Sequence, residues 1–171
     1  DAICLEAVKE DGMALEYVKN QTEAICLEAI RQNDSALQFV ENQTEAICLE
    51  AVKQNGYALK YVKNQTDAIC LEAVKEDGMA LEYVRNQTDA ICLAAVRENG
   101  KSLKFVKNQT EAICLGVIKG LRFNDITPLR QINDYTYNIS MHVVNLNPKY
   151  IILIKKPTLF FLVDAIKKYP D

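Results

Sequence analysis

DAICLEAVKEDGMALEYVKNQT (residues 1–22) is followed by EAICLEAIRQNDSALQFVENQT (23–44), EAICLEAVKQNGYALKYVKNQT (45–66), DAICLEAVKEDGMALEYVRNQT (67–88) and DAICLAAVRENGKSLKFVKNQT (89–110). A short fixed period marks a supersecondary unit that cannot cover its own apolar side and stacks on copies of itself. The period continues beyond the regular copies. EAICLGVIK (111–119) reopens the unit and PLRQINDYT (128–136) closes it after four extra residues, giving a sixth repeat at 111–136. Residues 137–158 overlay the unit degenerately and 159–171 supply half of another, so 137–171 is the irregular end of one continuous array. The chain starts on a repeat boundary without Met and stops in mid-repeat, as expected of a piece of a longer protein.

The pattern within a unit predicts two short helices. Ile3, Cys4, Ala7 and Val8 share a face at the helical period, Leu5 widens it, and Glu6, Lys9 and Glu10 lie opposite. Asp11-Gly12 and its counterparts Asn33-Asp34, Asn55-Gly56, Asp77-Gly78 and Asn99-Gly100 predict a helix stop with a left-handed residue. A second helix of about two turns, with Ala14, Leu15, Tyr17 and Val18 inward, is too short to persist without packing. The expected fold is therefore all-α, an α-solenoid of tandem 22-residue helix-turn-helix repeats.

The triplet Asn-Gln-Thr carries two readings. Thr22, Thr44, Thr66, Thr88 and Thr110 stand where N-caps belong, each followed by Asp or Glu at the first helical position. The same triplets have the form of N-glycosylation acceptors. Thr136 and Thr158 keep the cap where the Asn is lost, which favours the structural reading.

Six cysteines, Cys4, Cys26, Cys48, Cys70, Cys92 and Cys114, occupy one repeat position. Helices packed about 8–10 Å apart hold such a column beyond disulfide reach, about 7 Å between Cα atoms. Neither Cys-x-x-Cys nor a Cys/His cluster is present, so we expect buried free thiols, no metal and no cofactor. The single histidine, His142, takes the outward place of Glu6, and no nucleophile, carboxylate pair or phosphate loop accompanies it. No catalytic residue is expected, and no small-molecule substrate.

About half of the residues are apolar, and no signal peptide or membrane span is visible; YIILIKKPTLFFLV (150–163) is broken by Lys155-Lys156-Pro157. Together with the free thiols this gives a cytoplasmic expectation and no membrane partner.

Binding expectations rest on charge. Lys9, Arg31, Lys53, Lys75, Arg97, Lys119 and Lys167 share one position, and Lys19, Lys63, Arg85, Lys107 and Lys155 another. Each column either complements helix dipoles or forms a stripe able to follow a nucleic-acid backbone. Residues 1–110 carry 18 acids and 12 bases, net −6; residues 111–171 carry 5 and 8, net +3. An acidic front and a basic rear suit head-to-tail self-association or docking on an acidic protein. The insertion GLRFNDIT (120–127) places Arg122, Phe123, Asn124 and Asp125 at the rim, as a contact loop or as a loop with Phe123 folded back. Repeats one and four differ only at Lys19 against Arg85, and outward residues so alike cannot spell a base-by-base code. The sequence thus reads as a protein-interaction or structural scaffold, with a nucleic-acid-binding array and a secreted N-glycosylated protein as alternatives.

The Ala-Ile-Cys-Leu, Asn-Gly and Asn-Gln-Thr elements resemble a short helical repeat of unknown function, abundant in giant DNA viruses of the mimivirus type. The likeness is close over 1–118 and loose over 126–171. It implies an α-helical array, acting in the host cytoplasm or the virion, and brings no catalytic residues.

Overall fold

The computed structural model describes residues 2–121 and 125–170. Among these residues eight α-helices, α1 (Ala2–Glu10), α2 (Glu23–Gln32), α3 (Glu45–Gln54), α4 (Asp67–Glu76), α5 (Asp89–Glu98), α6 (Glu111–Gly120), α7 (Tyr137–Leu146) and α8 (Leu159–Lys168), alternate with seven 3₁₀ helices. These are η1 (Gly12–Tyr17), η2 (Asp34–Phe39), η3 (Gly56–Tyr61), η4 (Gly78–Tyr83), η5 (Gly100–Phe105), η6 (Leu129–Gln131) and η7 (Pro148–Leu153). No strand occurs among the described residues.

Each α-helix packs on the next α-helix and each 3₁₀ helix on the next through η6; α2 to α6 also each lean on the 3₁₀ helix of the preceding repeat. The result is an α-solenoid with one α layer and one 3₁₀ layer. Its core is a row of equivalent rungs: Ile47, Cys48, Ala51 and Val52 from α3 with Ala58, Leu59 and Val62 from the following segment are all buried, and so are their counterparts in repeats two and four. Packing thins after α6, where the insertion shortens η6 to three residues.

The second helix is 3₁₀ rather than α, which corrects the sequence expectation. Six residues with a bound cap at each end suit bonds that skip three residues, as in Ala58 N–H to Asn55 O at 2.9 Å and Val62 N–H to Leu59 O at 3.1 Å. The turn between the two helices is also different from the one expected. Asn55 is extended (φ −154°, ψ 111°), and no glycine has positive φ. One residue ends one helix and starts the next: the Asn55 N–H donates to Ala51 O, and its side chain accepts from Tyr57 N at 3.0 Å.

Glycine follows because of closeness, not handedness. A Cβ on Gly56 would lie 2.4 Å from Ala73 O, and one on Gly78 2.4 Å from Ala95 O, in the next repeat's helix. Asp34 stands at this position in repeat two, and its carboxylate instead accepts from Asn55 Nδ2 at 3.1 Å. The Thr caps form as expected: Thr44, Thr66 and Thr88 Oγ1 each accept from the backbone N–H three residues on at 3.3 Å, and Thr136 and Thr158 do likewise. All six cysteines are free, and five are buried.

Candidate interaction surface

From α2 to α5 the α-helices are ten residues long, about 15 Å end to end, so the solenoid has two edges. One edge carries the Asn/Asp turns and the Lys9 column at the helix C-termini. The other carries Asn-Gln-Thr and the Lys19 column. The two cation columns therefore stand on opposite edges and do not make one continuous basic track.

On the first edge Lys9, Arg31, Lys53, Lys75, Arg97 and Lys119 are all exposed. Three face carboxylates: Lys9 on Glu6 at 3.3 Å, Arg31 on Glu28 at 3.5 Å and Glu50 at 3.6 Å, and Lys75 on Glu72 at 3.8 Å. Ala94 and Gly116 take the glutamate's place in repeats five and six, and among the described residues Arg97 and Lys119 have no ion pair. Such exposed pairs contribute little to stability. Arg97 also lines a cleft of about 200 Å³ with Gly100, Lys101, Gly120, Asp125 and Pro128.

Of the insertion residues, Arg122, Phe123 and Asn124 lie outside the described residues. Asp125 is half-buried and serves the loop itself: it accepts from Thr127 N at 2.9 Å and pairs with Lys101 at 3.2 Å. The Thr127 hydrogen bonds, then Lys101, hold its carboxyl down at about 2. His142 is exposed, its Nδ1 2.8 Å from Asn138 O on the same helix.

On the second edge the Lys19 column is partly consumed by structure. Lys63 Nζ donates to Val40 O at 2.8 Å, Arg85 donates to Lys63 O at 2.6 Å and Val62 O at 3.0 Å, and Lys107 Nζ donates to Arg85 O at 2.9 Å. These cations close the carbonyls that the preceding 3₁₀ segment leaves open.

The middle residue of the triplet holds neighbouring repeats together, a role sequence reading passed over. Gln65 Nε2 donates to Tyr83 O at 2.9 Å while its Oε1 accepts from Arg85 N at 3.0 Å, both in the next repeat. Cys70 Sγ lies 3.8 Å from the same Oε1. Gln21, Gln43 and Gln87 repeat all three contacts, and Gln109 repeats the two to backbone. A carboxamide supplies a donor and an acceptor on two separate atoms, as this pair of backbone contacts requires. The available signal was invariance at a place where neither a cap nor a glycosylation triplet requires glutamine. In repeat six Tyr135 replaces it, its hydroxyl donating to Leu129 O within its own repeat, and burial pushes its phenol up to about 12.

Burial also raises the thiols of Cys26, Cys48, Cys70, Cys92 and Cys114, which therefore stay protonated. Among the described residues no group of three or more His, Cys, Asp or Glu side chains could hold a metal ion.

A family model, Domain of unknown function (DUF4116), matches residues 2–44, 23–66 and 44–88. The chain belongs to the DUF4116 family. Each match spans two consecutive repeats, so the family unit is the pair of repeats that one row of Gln contacts joins. No curated protein and no solved structure matches the chain. No helix among the described residues is long and apolar enough to cross a membrane.

Proposed function

We propose that this DUF4116 chain is a non-enzymatic repeat scaffold that engages protein, including further copies of itself, through its C-terminal third. One observation carries this reading. At outward positions held by polar residues or by alanine in the five regular repeats, the last units expose large apolar side chains: Ile152 is 83 % exposed, Leu159 78 % and Phe160 68 %. In the sequence they are flanked by Lys149, Lys155, Lys156, Lys167 and Lys168, in a segment opposite in sign to residues 1–110. Exposed apolar side chains on a positively charged segment suit an acidic protein face. Light scattering across concentration and salt tests it. Mass should rise with concentration at low salt, fall at high salt, and stay monomeric in the Ile152→Glu/Phe160→Glu variant. A wild-type chain monomeric throughout removes the self-association.

A nucleic-acid-binding array is the second reading, favoured by Arg97 and Lys119, which have no ion pair among the described residues. Filter binding to RNA and DNA at two salt concentrations tests it, because phosphate contacts weaken steeply with salt. The resemblance to giant-virus repeats extends the first reading to a viral scaffold in the host cytoplasm or virion, checked by mass spectrometry of purified particles.

A further inference from the structure

Five repeats act as an internal alignment, and nearly every residue constant among them has a visible task. Ile25, Cys26, Ala29, Leu37 and Val40 with their counterparts fill the core, glutamine bonds the next repeat, and threonine caps a helix. Asn20, Asn42, Asn64, Asn86 and Asn108 have none. All five are exposed, and among the described residues no side chain of theirs is hydrogen-bonded. They form a column along the second edge, where clefts of about 250 to 290 Å³ recur between repeats. Asn42 lines one, Asn64 and Asn86 the next, and Asn86 and Asn108 a third.

The chemistry of the column selects its ligand. A carboxamide offers one donor face and one acceptor face, the complement of a peptide group. The charges beside it change sign along the array: Glu23 and Glu41 at the first cleft, Lys63, Asp67 and Arg85 at the next, Arg85, Asp89 and Lys107 at the last. A uniform polyanion would meet repulsion at one end and at each Asp or Glu. The spacing fits as well. Packed helices stand about 8–10 Å apart, and three residues of polyproline-II chain advance about 9 Å with their amides free.

We infer that the asparagine column binds an extended polypeptide segment, each carboxamide pairing with every third peptide group. This rests on the scaffold reading and names a different surface for it. The test is a phage-displayed library of random peptides of about 12 residues, enough to span four repeats, panned on the full chain. Enriched peptides should bind the Asn42→Ala/Asn64→Ala/Asn86→Ala/Asn108→Ala variant about tenfold more weakly or worse, and N-methylation of every third peptide amide should weaken them similarly. The variant should melt at the wild-type temperature. No enriched peptide, equal binding to both proteins, or a lowered melting temperature showing that the asparagines hold their bends would each overturn the inference. If the variant still associates with itself while the peptides fail, the scaffold reading stands and the column alone is refuted.

Discussion

Gln65 shows how much one side chain contributes when it faces backbone. It satisfies a carbonyl and an amide that the short 3₁₀ segment of the next repeat leaves without partners. Gln65→Ala should cost about 2 kcal/mol, from two lost hydrogen bonds and the groups left behind, measured by urea denaturation. Gln65→Glu keeps the acceptor and loses the donor to Tyr83 O, so it should fall between the two. Leu59 and Lys60 make a sharper contrast. Leu59 is fully buried while Lys60 is exposed with its Nζ 4.6 Å from the Tyr61 ring centroid. Leu59→Asp should destabilise by more than about 4 kcal/mol, through cavity and buried charge; Lys60→Glu should change the midpoint little. Similar losses from both would contradict the assignment of faces.

Within one repeat, the connection between the two helices is a single residue, followed at Gly12, Gly56 and Gly78 by a close approach to the next repeat. Gly78→Ala would push a methyl against Ala95 O, which cannot move without shifting α5. Thermal melts should show a loss of about 2 kcal/mol or more, the scale of overpacking. Asp34→Gly, which restores the common residue but removes the bond to Asn55, should be nearly neutral by comparison. A neutral Gly78→Ala would show that the repeats can part at this edge without cost. The second helix holds its form only through such contacts, since six 3₁₀ residues have little intrinsic stability.

Across the array, stability is a sum of neighbour interfaces, so a repeat packed on one side differs from a repeat packed on both. Ile3 is 86 % exposed whereas its counterparts Ile25 to Ile139 are buried. Cys4 is half-exposed and the five later thiols are buried. Native labelling with a thiol reagent should therefore modify Cys4 first, and Cys48, Cys70 and Cys92 only as fast as the array opens. Uniform labelling would rule out a cooperative middle. Because burial raises the later thiols, folding favours their neutral form. That contribution is whole below the unfolded value of about 8.5 and is lost as pH rises through the folded values. Urea midpoints should accordingly drop on the alkaline side, and a Cys70→Ala variant should drop less.

What the 22-residue period determined by itself was the kind of fold: repetition forces each unit to use its neighbours, and the apolar spacing names Ile, Cys, Ala, Val and Leu as the rungs. Thr at each boundary was equally legible, because a cap is a local bond between residues three apart. The 3₁₀ form of the second helix, the need for glycine at position 56 or 78, and the glutamine contacts between repeats were decided only in three dimensions. Each depends on how closely one repeat approaches the next, a distance that no pattern within a single unit encodes. The same holds for the asparagines, whose side chains have no hydrogen-bond partner among the described residues, a fact that only the three-dimensional arrangement shows.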